Sequence, residues 1–521
     1  MIQTRTKKVL LLAPPWGDVY GNFKHVAKVG VFYPPLGLCY IASYLEDAGY
    51  EVRVMDAEAE GKNIHGVMEE IRSFQPDAIG IQVVSPLWDV VLEVCKNIKA
   101  EQDIPIILGG PHITIVGKEG FDQNPYYDYG VIGEGEETML DLVNHIVAGK
   151  PVDDVLGIVH KKDGEAILNG ARPAPKDLDS YLFPNRDGLP MDRYLFSVPG
   201  KKGGIRRFAT ITSTRGCPFE CTFCTEPMIF GRMTRFRSAE NVVDEIEYAN
   251  KNNGVTHFIF VDDTLTVEKK RIFAICDEID RRGLKVTFEG WTHANTITEE
   301  LLRRMHKSGL RRLSFGVEAG NAAILKSLKK GTDHDRILAA FKAAKAAGIE
   351  TRGSVILGLP GETIATVEES IEFTTGLKEL DHCYFNIAMP YPGTEIRELA
   401  LKGEKGTRLL SEEYSQLRRQ GQSVVMEVND LTTEELLRLQ RKAYLKFWLT
   451  PRRVWYNIWR AGLKAGFING WAFFKSFVLP RKKEKKMTFL SEITRLDDHV
   501  DGGHVVTREG AGKAPKDKVE V

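Results

Sequence analysis

Apolar runs of four to eight residues alternate with segments of helical periodicity twice along the chain, and this pattern limits the fold more than composition does. Strands separated by helices must pair in parallel, because each returning helix lays the next strand beside the last in the same direction. The first series places strands at residues 9–13, 51–55, 78–84, 105–108 and 128–132, with a helix over 37–48. Strands buried on both faces read as unbroken apolar runs, as Val9-Leu10-Leu11-Leu12-Ala13 does. The second series places strands at 208–212, 258–261, 286–291, 312–317, 350–357 and 383–389, with amphipathic helices such as 239–250 and 335–347 between them. The first series suits a doubly wound sheet, and the six units of the second suit a partial barrel open on one side.

The expected fold class is therefore α/β. It comprises a Rossmann-like doubly wound domain at 1–150, a linker at 151–205, a partial (β/α)6 barrel of TIM type at 206–430, a helical extension at 431–496 and a disordered tail at 497–521. The linker reading rests on Pro, Gly, Asp and Lys without steady periodicity. A chain of 521 residues exceeds what one core supports, which agrees with this division. Lys plus Arg and Asp plus Glu both number 71, so no net field draws nucleic acid, and none is expected as a partner. No apolar run reaches the roughly 18 residues of a membrane-spanning helix. The run at 9–13 is shorter than a signal-peptide core and is closed by Pro14-Pro15, so a cytoplasmic protein is expected.

Cys39, Cys95, Cys276 and Cys383 stand singly in apolar surroundings and read as buried, inert thiols. The other three share the segment Ser213-Thr214-Arg215-Gly216-Cys217-Pro218-Phe219-Glu220-Cys221-Thr222-Phe223-Cys224, directly after a predicted strand. In a reducing compartment, such clustering favours a metal site over disulfides. A structural zinc needs a fourth ligand, and no Cys or His follows within twenty residues of Cys224. An ordinary [4Fe-4S] cluster takes four thiolates, so three leave one iron open. Cys217, Cys221 and Cys224 are the candidate cluster ligands and catalytic centre.

Arg-Gly-Cys-Pro-x-x-Cys-x-Phe-Cys after a first barrel strand resembles a broad branch of the radical S-adenosylmethionine (SAM) superfamily. Other segments agree in order and spacing. Phe260-Val261-Asp262-Asp263 ends the second strand, where the family contacts the methionine moiety of SAM. Ser314-Phe315-Gly316-Val317-Glu318-Ala319-Gly320 resembles the fourth-strand segment, with Glu318 pointing into the barrel. Gly353-Ser354-Val355-Ile356-Leu357-Gly358-Leu359-Pro360-Gly361-Glu362-Thr363 resembles the adenine-binding segment, and Pro390-Tyr391-Pro392-Gly393-Thr394 the end of the sixth strand. The resemblance implies cofactor contacts from Phe223, Asp262, Glu318, Gly358 and Pro360. It also implies a chemistry: SAM chelates the open iron, an electron from a reductant such as flavodoxin or ferredoxin breaks a carbon–sulfur bond, and a 5'-deoxyadenosyl radical abstracts hydrogen.

A doubly wound domain ahead of such a barrel resembles the cobalamin-dependent branch. The matching residues are Pro34-Pro35-Leu36-Gly37-Leu38, Val84-Ser85, Gly109-Gly110-Pro111-His112 and Gly133-Glu134-Gly135-Glu136. The resemblance implies that Ser85, Gly109, Gly110, Gly133, Glu134 and Gly135 approach the corrin and its tail. Many cobalamin domains carry Asp-x-His-x-x-Gly after the first strand, with a cobalt-binding His; here Pro14-Pro15-Trp16-Gly17-Asp18-Val19-Tyr20-Gly21 has none. His25 and His112 are substitutes for it, or hydrogen-bonding residues. Cobalamin without a protein His ligand is therefore expected.

Residues 444–480 carry eleven aromatics, six Lys or Arg and no acid, and Arg481-Lys482-Lys483-Glu484-Lys485-Lys486 follows. This composition suits a membrane–water interface and equally a lid on the open barrel. The first reading predicts peripheral membrane contact through 444–486 and an apolar small-molecule substrate such as a lipid, terpenoid or tetrapyrrole. The leading functional expectation is cobalamin-dependent methylation of an unactivated carbon. The alternatives are an oxidative cyclase resembling the anaerobic magnesium-protoporphyrin monomethyl ester cyclase, and a non-catalytic corrinoid or redox sensor. A tRNA methylthiotransferase would bring a second cysteine trio, and only Cys39 and Cys95 precede the barrel.

Overall fold

The computed structural model describes residues 7–16, 33–121, 125–200, 204–417 and 424–454. His25, most of the aromatic stretch and the expected tail at 497–521 lie outside the described residues.

Seven strands form the first sheet: β1 (Lys8–Ala13), β2 (Glu51–Asp56), β3 (Ala78–Gln82), β4 (Ile106–Gly109), β5 (Tyr129–Val131), β6 (Ile158–Lys162) and β7 (Glu165–Leu168). Their order is β2-β1-β3-β4-β5-β6-β7, parallel from β2 through β5 and antiparallel beyond. Val9 to Leu12 are fully buried, as a strand covered by helices on both faces must be. The strand order reverses between β1 and β3, and ligands of such sheets bind outside the carboxyl ends at that point. Ser85, Gly110 and Gly133 all follow strands at that edge.

The second sheet holds β8 (Leu195–Val198), β9 (Gly204–Ile211), β12 (His257–Phe260), β13 (Thr287–Thr292), β14 (Leu310–Glu318), β15 (Glu350–Leu357) and β16 (His382–Ile387); the short pair β10 (Thr214–Arg215) and β11 (Arg235–Phe236) forms a separate ladder. From β9 to β16 the strands are parallel and each pairs with the next in sequence, while β8 adds antiparallel to β9. Successive right-handed units thus curl into the expected open half-barrel. Local signals set the helix ends: Ser238 caps Ala239–Asn253 by accepting from Asn241 N–H, and Gly254 ends it in the left-handed region.

Two expectations change. Residues 151–205 are not a bare linker, since β6, β7 and β8 lie within them and extend both sheets. The reason is tertiary: their short strands bury only Ile158, Val159 and Ala166, or Phe196 and Val198, too few apolar positions for a visible period. Second, the described start of the aromatic stretch belongs to the barrel. Helix Thr433–Trp448 covers the edge strand β16, where Gln440 donates to Phe385 O at 2.8 Å and Tyr444 Oη accepts from Phe385 N–H at 3.2 Å. These bonds satisfy a strand edge that would otherwise stay open.

Arg186, inside the expected linker, is locked into the barrel. It donates to Glu245 at 2.6 Å and to Thr210 O at 2.8 Å, and Arg237 holds the other Glu245 oxygen; all three side chains are almost wholly buried. Removing one partner from such a cluster strands the remaining charges without water. Glu245→Ala should therefore cost about 3–5 kcal/mol. A thermal unfolding curve that does not move in this variant would overturn that account.

Candidate active site

The cysteine loop follows β9 and is pinned on every side. Gly216 adopts φ +94°, and a Cβ there would lie 2.5 Å from Met233 O, so only glycine lets the chain pass. Cys217 N–H donates to Gly231 O, Thr222 N–H to Leu328 O, and Thr222 O accepts from Ile396 N–H. Phe219 stacks on His293 with ring centres 4.0 Å apart. That imidazole is fixed by accepting from Asn295 N–H and donating to Lys330 O. Burial, then Lys330, holds it neutral, with a pKa near 4. Phe223 is half-buried against the core beside the trio.

Burial pushes the Cys221 thiol up to about 11 and Cys224 to about 12, and raises Cys217 as well. Binding iron must displace those protons. Among the described residues no three His, Cys, Asp or Glu side chains converge on a single-ion position, so the trio is not a closed zinc site. Three donors from one loop instead fit a cluster that takes one thiolate per iron.

Glu318, at the end of β14, is buried with φ +63°, a strained geometry for a residue with a side chain. Its carboxylate pairs with buried Lys330 at 2.5 Å, and both act electrostatically on Cys221. Their head groups occupy the space above Gly316, where a Cβ would meet them at 1.9 and 2.1 Å. Lys330 stood in no motif; only its partner marked it.

Asp262 and Asp263 lie in different surroundings. Asp262 was expected against SAM, but its carboxylate is used within the chain. It accepts from Ser213 N–H at 2.6 Å, Thr214 N–H at 3.0 Å and the Thr212 and Ser213 hydroxyls. Asp262 thereby shapes the turn into the cysteine loop. Asp263 instead faces Glu226, and burial with that neighbouring carboxyl raises its pKa to about 8.

Gly358 adopts φ +83°, and the space of its missing side chain is filled by Leu436, 2.9 Å from the Cβ position. Glu362 shapes this turn and the buried Pro360 in it, accepting from Gly358 N–H at 2.8 Å and Leu359 N–H at 2.9 Å. Its other oxygen is buried without a partner, and burial raises its pKa to about 7. A carboxyl raised on folding binds its proton more tightly in the native state. Stability should therefore fall as pH rises from about 4.5 to 7, by on the order of 3 kcal/mol. Glu362→Gln should flatten that part of the stability profile, measured by denaturant unfolding across pH. An equally steep profile in the variant would refute the assignment.

At the carboxyl edge of the first sheet, the expected corrin contacts divide. Gly133 has φ +79° and open space where a Cβ would stand. Gly110, at φ +96°, would bring a Cβ to 3.0 Å from Val83 O, and Gly135 to 3.2 Å from Ile41, so both serve close packing. Gly109 would make only an ordinary contact with Val131. Ser85 Oγ lies 3.0 Å from His112 Nδ1. The imidazole packs against Trp88 and Tyr414, and burial holds it neutral, with a pKa near 4. Its Nε2 is buried without a partner. An orphaned nitrogen and an open glycine at this edge fit a group that lies against it.

Glu134 has a side chain that is taken up within the protein. Expected against cobalamin, it joins the two domains: Arg215, next to the cysteine loop, donates to Glu134 and Glu136 at 2.5 Å each. Arg235 and the Tyr181 hydroxyl take the remaining positions on Glu134. Burial works against the Arg215 charge, but Glu136 and Glu134 outweigh it and hold the guanidinium ionised. The guanidinium also lies 4.5 Å from the Tyr181 ring centre.

Comparison with known proteins agrees with this geometry. The radical SAM superfamily profile matches residues 211–374, and the B12 binding domain profile matches 24–143. An uncharacterized methyltransferase of Pyrococcus horikoshii is 33% identical over 451 residues, 86% of this chain and 94% of that one. The anaerobic magnesium-protoporphyrin IX monomethyl ester cyclase of Rubrivivax gelatinosus is 30% identical over 85% of this chain and 80% of its own. Among solved structures, the radical SAM methyltransferase TsrM of Kitasatospora setae, with cobalamin and a [4Fe-4S] cluster bound, superposes with a TM-score of 0.69 at 18% identity, covering 91% of this chain and 98% of that one. The chain belongs to the radical SAM superfamily, in the branch that carries a B12-binding domain. It is a radical SAM enzyme whose cofactors are a [4Fe-4S] cluster, SAM and cobalamin.

Proposed function

We propose that this enzyme methylates an unactivated carbon of a small molecule with a largely apolar skeleton. One observation carries the reading: the cysteine loop is tied through buried Arg215 to Glu134 and Glu136, which follow β5 at the carboxyl edge of the first sheet. When bound, the cluster supplies the electron that cleaves SAM, and cobalamin carries the methyl group to be transferred. Cys217, Cys221 and Cys224 hold the cluster while leaving one iron open. Glu318 and Lys330 present a paired carboxylate and ammonium beside it, and Phe219 on His293 walls off water. Gly358 and Pro360 support the adenine, and Ser85 and Gly133 set how closely backbone approaches the corrin. The electron comes from a flavodoxin- or ferredoxin-type donor. The P. horikoshii relative and TsrM support transfer of a methyl group.

Product analysis on anaerobically loaded enzyme decides the reaction. Methylation yields S-adenosylhomocysteine and a product heavier by one methyl, and Cys221→Ala abolishes both. A product lighter by hydrogen, without S-adenosylhomocysteine, would replace this reading with the cyclase.

The same proposal extends to where the enzyme works. No described helix is long and apolar enough to cross a membrane. Helix Thr433–Trp448 and the turn after it present Arg441, Leu445 and Leu449 along an outward groove also lined by Arg438, Lys442 and Lys446. Bases flanking apolar residues suit an anionic lipid surface, at about 1 kcal/mol for each base near it. Contact through 444–486 should make the enzyme float with anionic liposomes and release in salt. Flotation unchanged by deleting 455–486 and mutating Arg441 would reject it.

A further inference from the structure

Side chains alternate strictly along β15. Thr351, Gly353, Val355 and Leu357 are buried beneath the helices, whereas Arg352, Ser354 and Ile356 face the other way and are partly open. Arg352 identifies that other face. Its Nη1 lies 3.6 Å from Glu289 Oε1 on β13, so the guanidinium passes over the intervening strand β14. Side chains two strands apart meet only on the concave side of a curled sheet. This face is the barrel lumen.

The floor of the lumen is closed on itself. Arg312 donates to Glu289 at 2.8 Å and to Glu350 at 2.6 Å, and His382 lies 3.3 Å from Glu350. Phe196 stacks on His257 and lies under the Arg312 guanidinium. One row higher the pattern reverses. Trp291, Ser314 and Arg352 are register neighbours on β13, β14 and β15, and Tyr384 stands beside Ser354 on β16. Among the described residues, the Trp291 indole N–H, the Ser314 hydroxyl, the Tyr384 hydroxyl and all five Arg352 N–H groups make no hydrogen bond. The Arg352 side chain is only 14% exposed, and its one charged partner is Glu289, beyond hydrogen-bond reach. Ser314 is buried, Trp291 and Arg352 are partly buried and Tyr384 is 47% exposed. Donors and a charged fork gathered on one concave face without hydrogen-bond partners mark a place where a ligand can complete the bonding.

The unpaired groups are mostly donors, with a fixed positive fork at the centre. We propose that the row Trp291, Ser314 and Arg352, with Tyr384, seats an oxyanion of the substrate. The substrate is then an amphiphile, an apolar skeleton ending in a carboxylate or phosphate, rather than a plain hydrocarbon. Arg352 is the element that fits, because its planar fork accepts either oxyanion in bidentate fashion. Four residues of β15 separate Arg352 from Ile356 near the strand end, about 13 Å at the usual rise per residue. The reacting carbon then lies about that far from the anchored group, toward the carboxyl ends of the strands, where the cysteine loop leaves β9. This assignment rests on the reading above that the enzyme acts on a small molecule with a largely apolar skeleton.

Titration calorimetry of the cofactor-loaded enzyme with octanoate, octyl phosphate and octan-1-ol tests it. Octanoate or octyl phosphate should bind at least tenfold tighter than octan-1-ol, and the stronger of the two identifies the oxyanion. Arg352→Leu should erase that preference without changing octan-1-ol binding, and Arg352→Lys should restore part of it. Cluster and corrinoid absorbance should be unchanged in both. If Arg352→Leu fails to load cofactors, Tyr384→Phe should still weaken the anion several-fold while leaving octan-1-ol unaffected. Equal binding of all three probes, no binding of any, or a preference that survives Arg352→Leu overturns the proposal. S-adenosylhomocysteine formation is measured separately: its absence with the preference intact removes the methylation reading and leaves this one.

Discussion

Arg215 is buried among two carboxylates and the aromatic rings of Tyr40, Tyr181 and Phe230, a setting where an ion must be fully paired to persist. Glu134 and Glu136 supply that pairing from the first domain, while Gly216 and Cys217 follow Arg215 directly on the second. A desolvated charge of this kind tolerates no partial separation, because each lost contact leaves an ion without water. The domains are thus held together at the point where the cluster loop begins. Everything downstream of Arg215, including the position of the three thiols, inherits that constraint.

Around the node, residues that resemble ligand contacts also shape the chain. Glu134 ties domains, Asp262 organises the turn at 212–214, and Glu362 holds the turn at Gly358. Carboxylates that accept several backbone N–H groups fix loops as firmly as short strands do. Their cost is visible at Glu362, whose second oxygen is buried without a partner.

The open barrel meets two demands with one curvature. Its convex side is sealed by helices, down to the edge strand β16, where Gln440 and Tyr444 of helix Thr433–Trp448 take the exposed peptide groups. Its concave side keeps polar groups in graded states, closed into an ion network at the floor and unpaired one row above. Such grading gives the lumen a direction, with an anchoring end and a reacting end.

Much of this was legible in the sequence, because it is written in local pattern. Strand–helix alternation gave both sheets, since burial on two faces demands unbroken apolar runs such as residues 9–13. The cysteine spacing marked three candidate cluster ligands, since three thiols on one loop need no distant partner. The strand-end glycines marked an edge where Gly133 stands open and His112 Nε2 is buried without a partner. What local pattern could not supply is the pairing of residues far apart in the chain. Arg215 meets Glu134 across 81 residues, Arg352 meets Glu289 across two strands, and Lys330 reaches Glu318 from a segment without a motif. The strands within 151–205 were hidden for the same reason: too short to show a period, they exist because two sheets already offer them an edge. Sequence alone determined the class of chemistry and the two-part α/β framework. Tertiary structure decided which charges are spent on holding that framework and which remain for a ligand, because only packing determines where water is excluded.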